Sequence, residues 1–516
     1  MELRRSPALV DSFSGMLAAS KGEIVYKSSI AVIALIYLFA YINRYDQGVM
    51  SGIIVMPYWT HYFDNPNDVM TGFIVSIYLL GAFVGGLFAG PISERIGRKR
   101  SIQLASIIFT LGSALQAGAI STQMLLGGRF VQGLGIGMYS MNVPVYQSEL
   151  SPPHLRGRFV ALQQLSIVTG IMIAFWLGYG CSFIQSDASW RLPLALQILP
   201  SILLFFGMFV LPYSPRWLVD KNRNEEALHT LARLHAEGNT EDPYVVQEYN
   251  EIVAYVKFER ENAVRTYRDL FSKQNRRRVM LAVGIQSMQQ WTGINAAPLI
   301  FKGAGLDGTA SQLLATGLNG VVSVIATIPA VMFIDRWGRV KTLLVGGTGM
   351  GITMLLAGAL LGAYPHTDAG PNNLGAQYFA IVMMYFFTIC FSSSWGPCGW
   401  IYPAEIFPNR VSTAANYLMN FVIGEITPIM LSRITFWTYI FFCLTNFACV
   451  IILYFFYPET RGLSLEQMEV LFGGAGADVV RQVENGEYGA NTEKQAHTQA
   501  DSESETEPKS NVETTD

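Results

Sequence analysis

Long apolar runs alternate with short polar, glycine- or proline-rich breaks along nearly the whole chain. A membrane-spanning helix needs about 20 mostly apolar residues. Twelve runs meet that length: 28–56, 69–90, 101–120, 123–147, 158–182, 190–212, 278–303, 309–335, 341–363, 376–402, 409–434 and 436–457. The pattern breaks once, between 213 and 277, where the chain turns polar and charged. Within that break NEEALHTLARLHAEG repeats its apolar residues at helical spacing, which predicts short amphipathic helices lying at the membrane surface.

Composition agrees with this pattern. Charged residues make up 14% of the chain, against about 25% in a typical soluble protein. Residues 476–516 hold ten acids and three bases, so an acidic, solvated tail follows a slightly basic membrane body. Its Ser, Thr and Glu content reads as a disordered extension. The N-terminus MELRRSPALVDSFSG has no apolar core of signal-peptide type, so the first hydrophobic run is expected to stay as the insertion signal. Cys181, Cys390, Cys398, Cys443 and Cys449 fall in or beside apolar runs without metal-ligand spacing and read as packing residues.

Charge placement sets the expected orientation. The loops after segments 2, 4, 8 and 10 carry Arg95, Arg98, Lys99, Arg100, Arg156, Arg158, Arg336, Arg339, Lys341 and Arg410. The opposite loops carry Arg191, Lys302 and Arg433. The basic side is expected to be cytoplasmic, together with both termini and the central loop. The expected organisation is a segment 1–27, a six-helix bundle 28–212, a loop 213–277, a second six-helix bundle 278–457 and a tail 458–516.

The halves repeat each other. GPISERIGRKR (Gly90–Arg100) is echoed by IDRWGRVK (Ile334–Lys341), PVYQSELSPPHLRGR (Pro144–Arg158) by IYPAEIFPNRV (Ile401–Val411), and YSPRWL (Tyr213–Leu218) by YPETRGL (Tyr457–Leu463). Such duplicated bundles belong to secondary transporters, which bind substrate between the halves near mid-membrane. Acids and arginines meet in the repeated motifs: Glu94 and Asp335 with nearby bases, Glu149 with Arg156 or Arg158, and Glu405 with Arg410. They can form a gating network or simply fix topology and cap helices. An enzyme is not expected: the chain has no P-loop, no metal-ligand cluster and no nucleophile–base set. No cofactor and no nucleic-acid partner are implied. GRFVQGLGIG (Gly128–Gly137) is glycine-rich, but it lies inside an apolar helix and there permits close helix packing.

With YDQGVMSG (Tyr45–Gly52), QQWTGIN (Gln289–Asn295) and GPCGWIYPAEIFP (Gly396–Pro408), these motifs resemble the sugar porters of the major facilitator superfamily, and within them the fungal hexose transporter group. The resemblance covers residues 28–470. It implies an all-α membrane protein of twelve transmembrane helices in two pseudo-symmetric halves, acting as a monomeric unit in the bilayer, in the plasma membrane. It implies transport of a monosaccharide, with a proton as coupling ion. A facilitator, a polyol, quinate or disaccharide porter, and a sensor signalling through its tail stay open as alternatives.

An acid inside a membrane helix is costly and functional by default. That singles out Asp46, and the resemblance supplies Arg129 as its partner in a proton-coupling pair. The resemblance also places Gln164, Gln289, Gln290, Asn295, Trp400 and Asn420 at sugar-contacting positions. Amides suit a dry sugar site because each both donates and accepts. Gly293 loosens its helix there. Three departures stand out: Arg44 replaces the family's glycine, about four residues are missing after Asn295, and about seven after Val411. The seventh and eleventh helices are therefore expected to be shortened.

Overall fold

A computed structural model describes residues 45–46, 48–50, 52–150, 156–236, 238–262, 273–294, 309–364, 366–367, 370–371, 374–406 and 410–460. Two compact units divide the chain. One comprises 1–263 with 279–461, and so holds all the described membrane helices apart from one N-terminal stretch; the other comprises 264–278 with 462–516. In the second unit the described residues, 273–278, are helical.

Helical residues at 45–46, 48–50 and 52–53 lie in the first hydrophobic run, and a short helix α1 (Pro57–Tyr62) follows. The first half continues with α2 (Asp68–Ile96), α3 (Arg98–Ala117), α4 (Thr122–Leu150), α5 (Arg156–Cys181), α6 (Ala188–Leu196) and α7 (Ile198–Val210). The central loop holds α8 (Pro215–Asp220), α9 (Asn224–His235) and α10 (Pro243–Asn262). The second half holds α11 (Lys273–Trp291), α12 (Thr309–Trp337), α13 (Arg339–Ala363), α14 (Leu374–Ser393), α15 (Trp395–Ile406), α16 (Arg410–Ile434) and α17 (Trp437–Phe456). A two-residue antiparallel bridge joins His366–Thr367 to Gly370–Pro371.

Most of the run 28–56 lies outside the described residues; the other helices follow the hydrophobic runs to within several residues, with three differences. The run 190–212 breaks at Gln197 into α6 and α7, and the run 376–402 breaks at Ser394 into α14 and α15. At the second break the Trp395 indole donates to the Leu343 carbonyl of α13 at 3.0 Å, which fixes the bend against a neighbour. The third concerns the expected shortening. Helix α16 has 25 residues, about 37 Å at 1.5 Å per residue, so the departure after Val411 takes nothing from its span. Helix α11 ends at Trp291, Gly293 has a φ of +89°, and the chain from Asn295 to 308 lies outside the described residues.

Seven of the described helical spans are apolar enough to cross a bilayer by length and composition alone. Helices α4 and α16 fall below that test with buried amides on their inner faces, Gln132 and Asn142 on α4 and Asn416 and Asn420 on α16. Helix α11, which buries Gln286, Gln289 and Gln290, falls below it because Lys273, Arg276, Arg277 and Arg278 stand in its first turns. Lipid-facing positions behave oppositely, as Phe206, Phe209, Leu444 and Phe455 stay exposed. Four of the five cysteines are buried and all are free thiols.

Within the first half α4 packs along both α2 and α3. Glycines set that distance. A methyl group on Gly133 would overlap the Tyr78 carbonyl, and one on Gly137 the Ala82 carbonyl, while Gly81 and Gly85 answer from α2. Small residues let membrane helices approach backbone to backbone. The two halves meet where α2 lies along α16 and α5 along α12. In the central loop, Trp217, Leu218, Val219, Ala227 and Val256 bury a small core of their own, as the amphipathic spacing predicts.

Candidate functional site

Asp46 and Arg129 come together. Arg129 Nη1 lies 3.4 Å from Asp46 Oδ1, and both side chains are 0% exposed. Arg129 Nη2 donates to the Val75 carbonyl of α2 at 2.9 Å, and the guanidinium lies 4.9 Å from the centre of the Tyr78 ring. A buried ion pair is tolerable only with such added partners. A chain of amides continues from it. Arg129 Nη1 reaches Gln116 Oε1 at 3.4 Å, Gln116 Nε2 donates to Gln132 Oε1 at 2.6 Å, and Gln132 Nε2 donates to Ser113 Oγ at 3.1 Å. Asp46 Oδ2 makes no hydrogen bond of normal geometry. The sequence reading did not find Gln116 or Gln132. Their signal was available: Ser106, Ser113 and Gln116 recur on α3 at spacings that keep one helix face polar.

A second cluster forms where α5, α11, α15 and α16 meet. Gln289 Nε2 donates to the Trp395 carbonyl at 2.8 Å, and Gln289 Oε1 accepts from Asn416 Nδ2 at 3.1 Å. Gln286 Nε2 donates to the Gly399 carbonyl at 2.9 Å and its Oε1 accepts from the same Asn416 amide at 2.5 Å. Gln164 approaches from the other half: a Cβ on Gly396 of α15 would lie 2.9 Å from Gln164 Nε2. Gln164 Oε1 is buried without a hydrogen-bond partner, an acceptor still to be satisfied. Gln290 and Asn420 are buried in the same helices, and Trp400 is half-buried on α15. Asn295 lies outside the described residues, as does Arg44. Gln286 and Asn416 were missed, although each sits three or four residues before an expected site residue on the same helix face.

Further contacts cross between the halves. Ser76 of α2 donates to Glu425 of α16, and Ser140 of α4 shares a hydrogen bond of 2.5 Å with Tyr417 of α16. Glu425 is an acid well inside a helix of membrane-spanning length, a position as costly as that of Asp46, and the sequence reading missed it. Ser76 directly follows Val75, whose carbonyl holds Arg129, so α2 connects the ion pair to the opposite half.

Those motif acids and arginines whose side chains are described lie at two matching corners. Arg98 at the start of α3 pairs with Glu149 at the end of α4 at 3.1 Å. For Arg156 and Arg158, the expected partners of Glu149, and for Asp335, Arg336, Glu405 and Arg410, the structure describes the backbone alone. Arg95 is exposed, and the Glu94 carbonyl accepts from the Trp217 indole at 3.1 Å. The second half repeats that corner with a charge. Glu459 of the PETRG motif accepts from the Arg339 N–H at 2.8 Å and the Val340 N–H at 3.1 Å, placing a carboxylate on the N-terminus of α13. Gly97 and Gly338 turn the two corners with φ of +88° and +89°. Trp217 covers the first and Glu459 the second.

Two half-bundles, an ion pair buried in one and amides converging from both make a transporter-like site. A family profile described as "Sugar (and other) transporter" matches residues 31–472. The chain belongs to this family. As a sugar transporter family member it is a multi-pass membrane transporter and not an enzyme. It is 37% identical to "MFS-type transporter criB" of Aspergillus cristatus over 436 residues, 83% of this chain and 90% of that relative. It is 35% identical to "High-affinity glucose transporter 1" of Candida albicans over 449 residues, 82% of each chain. Among solved structures, the proton:xylose symporter XylE bound to 6-bromo-6-deoxy-D-glucose superposes with a TM-score of 0.73 at 26% identity, covering 86% of this chain and 99% of that one. The major facilitator fold of this family member follows from that superposition.

Proposed function

We propose that the protein imports a monosaccharide, a hexose, together with a proton by alternating access of its two halves. The observation that carries this reading is the fully buried Asp46–Arg129 pair. An arginine beside a carboxylate favours its ionised form, and burial opposes that form. Protonation removes the attraction, frees Arg129 and lets the first helix and α4 move apart. Deprotonation on the other side restores the pair. The relative named as a glucose transporter and the solved proton:xylose symporter support both the substrate class and the coupling ion.

In this reading Gln164, Gln289, Gln290, Asn295, Trp400 and Asn420 hold the sugar, joined by Gln286 and Asn416. Amides from both halves let one sugar bridge them, so that binding favours closure. The acids and arginines Glu94, Arg95, Arg98, Glu149, Arg156, Arg158, Asp335, Arg336, Arg339, Glu405 and Arg410 form the cytoplasmic latch that opens as the halves rock. The protein works as a monomer in the plasma membrane with both termini cytoplasmic.

The test is uptake of a panel of radiolabelled sugars in cells lacking their own hexose transporters, with and without a protonophore. Hexose uptake that collapses with the protonophore is expected. Uptake indifferent to it makes the protein a facilitator and removes the proton step. A second measurement addresses the sugar site. Gln289→Ala removes one donor and one acceptor from the cluster and leaves the Asn416 amide with Gln286 alone. Net hydrogen bonds are worth about 0.5–1.5 kcal/mol each, so KM is expected to rise roughly tenfold at unchanged surface expression. An unchanged KM removes Gln289 from the site.

A further inference from the structure

Arg129 Nη1 stands between two acceptors at one distance: Asp46 Oδ1 at 3.4 Å and Gln116 Oε1 at 3.4 Å. Both contacts are longer than the usual 2.7–3.2 Å of an N–H···O bond, so the guanidinium is committed to neither. Gln116 itself is held. Its Nε2 donates to Gln132 Oε1 at 2.6 Å and to the Gly112 carbonyl at 3.4 Å. Gln132 is anchored on Ser113, whose hydroxyl donates to the Phe109 carbonyl at 2.9 Å. With its nitrogen engaged in this way, the oxygen of Gln116 is aimed at Arg129. Gln116, Gln132 and Ser113 are all fully buried, so no water competes.

A neutral amide accepts at every pH, whereas a carboxylate changes its strength with its proton. Hydrogen bonds to an ionised acceptor are roughly twice as strong as neutral ones. Ionised Asp46 therefore outcompetes Gln116 for the guanidinium, and protonated Asp46 does not. We infer that Gln116 is a positioning residue, the second seat of a two-position guanidinium switch that receives Arg129 when Asp46 takes its proton. The inference rests on the proton-coupled reading above and adds to it the place where the released cation goes. Other titratable groups at the pair are Tyr45, whose hydroxyl donates to the Pro193 carbonyl at 3.3 Å, and Tyr78, whose ring underlies Arg129. Arg191 of α6 is tied to the same end of α3 through the Ala117 and Ala119 carbonyls at 2.8 and 3.0 Å.

The experiment measures proton-driven uptake of radiolabelled glucose against external pH in the full-length protein and in variants of Gln116. Gln116→Leu removes the second seat, so neutralising Asp46 strands the cation. The half-maximal pH of uptake is expected to move about one unit lower, a tenfold rise in the protons required. Gln116→Glu strengthens the seat and is expected to move it about one unit higher. Gln116→Met keeps the side-chain volume without the acceptor and should follow Leu; it carries the test if Gln116→Leu fails to reach the surface. A structural role alone would lower the rate in each variant without moving the half-maximal pH in opposite directions. If wild-type uptake is proton-driven and the variants keep its half-maximal pH, the inference is overturned on its own. Wild-type uptake indifferent to pH and protonophore overturns the coupled reading and this inference together.

Discussion

Asp46→Asn is expected to abolish proton-driven accumulation of sugar while leaving downhill exchange in place. The carboxylate lies 3.4 Å from Arg129 Nη1, and neither side chain is reached by solvent. Asparagine has almost the same shape and still offers an oxygen to the guanidinium, so the first helix keeps its place against α4. It cannot bind and release a proton between the two faces of the membrane. The cycle then lacks the step that ties sugar flux to the proton gradient. The measurement is the steady-state ratio of a non-metabolised glucose analogue inside and outside the cell, with the medium more acidic than the cytoplasm. Wild type should concentrate the analogue above its level in the medium, and the variant should stop at equal concentrations on the two sides. Accumulation at the wild-type level in Asp46→Asn would remove the pair from the coupling mechanism.

The second large effect is on folding. A side chain on Gly137 has no room, because a Cβ there would overlap the Ala82 carbonyl and lie 2.6 Å from the Gly86 amide nitrogen. The obstacles are backbone atoms of α2, which cannot rotate aside as a flexible side chain does. Overpacking costs about 1–3 kcal/mol where neighbours can shift. Here the helices themselves must separate, so Gly137→Val is expected at or above the top of that range. It should give little monodisperse protein on size-exclusion chromatography of detergent extracts. Gly127→Val supplies the control: that glycine lies on the same helix with nothing within 4 Å of the added carbon. Equal recovery of the two variants would show that the glycine face of α4 does not set the packing.

The twelve apolar runs carried most of the fold, because a bilayer punishes any long helix that is not apolar on its lipid side. The breaks at Gln197 and Ser394 were not legible. Each depends on a neighbouring helix, as the hold of Trp395 on the Leu343 carbonyl illustrates. Hydrophobicity also understated α4 and α16, whose buried amides lower the average over the window while the helices still lie among membrane neighbours. At the site, Asp46 stood out because a lone acid in an apolar run is conspicuous. Gln116, Gln132, Gln286 and Asn416 did not, since an isolated amide reads equally as glue between helices. What distinguishes them is the partner: Asn416 meets Gln286 across 130 positions of sequence, and Ser76 meets Glu425 across 349. Periodicity identifies the face a residue occupies and carries no information about the residue opposite.

The two glycine corners bear on how the protein is made. Gly97 is covered by Trp217, and Gly338 is covered by Glu459. A ribosome delivers residues in order, so the first corner stays open until the whole first bundle has emerged and the start of the central loop follows it. The second stays open until the whole of the last membrane helix has been synthesised and Glu459 follows it. Each half thus carries its own closing piece at its own C-terminal edge. Neither has to wait for the other before its turn between paired helices is sealed. A chain stopped short of Glu459 would reach the membrane with the N–H groups of Arg339 and Val340 uncapped, a ready mark of an unfinished second half.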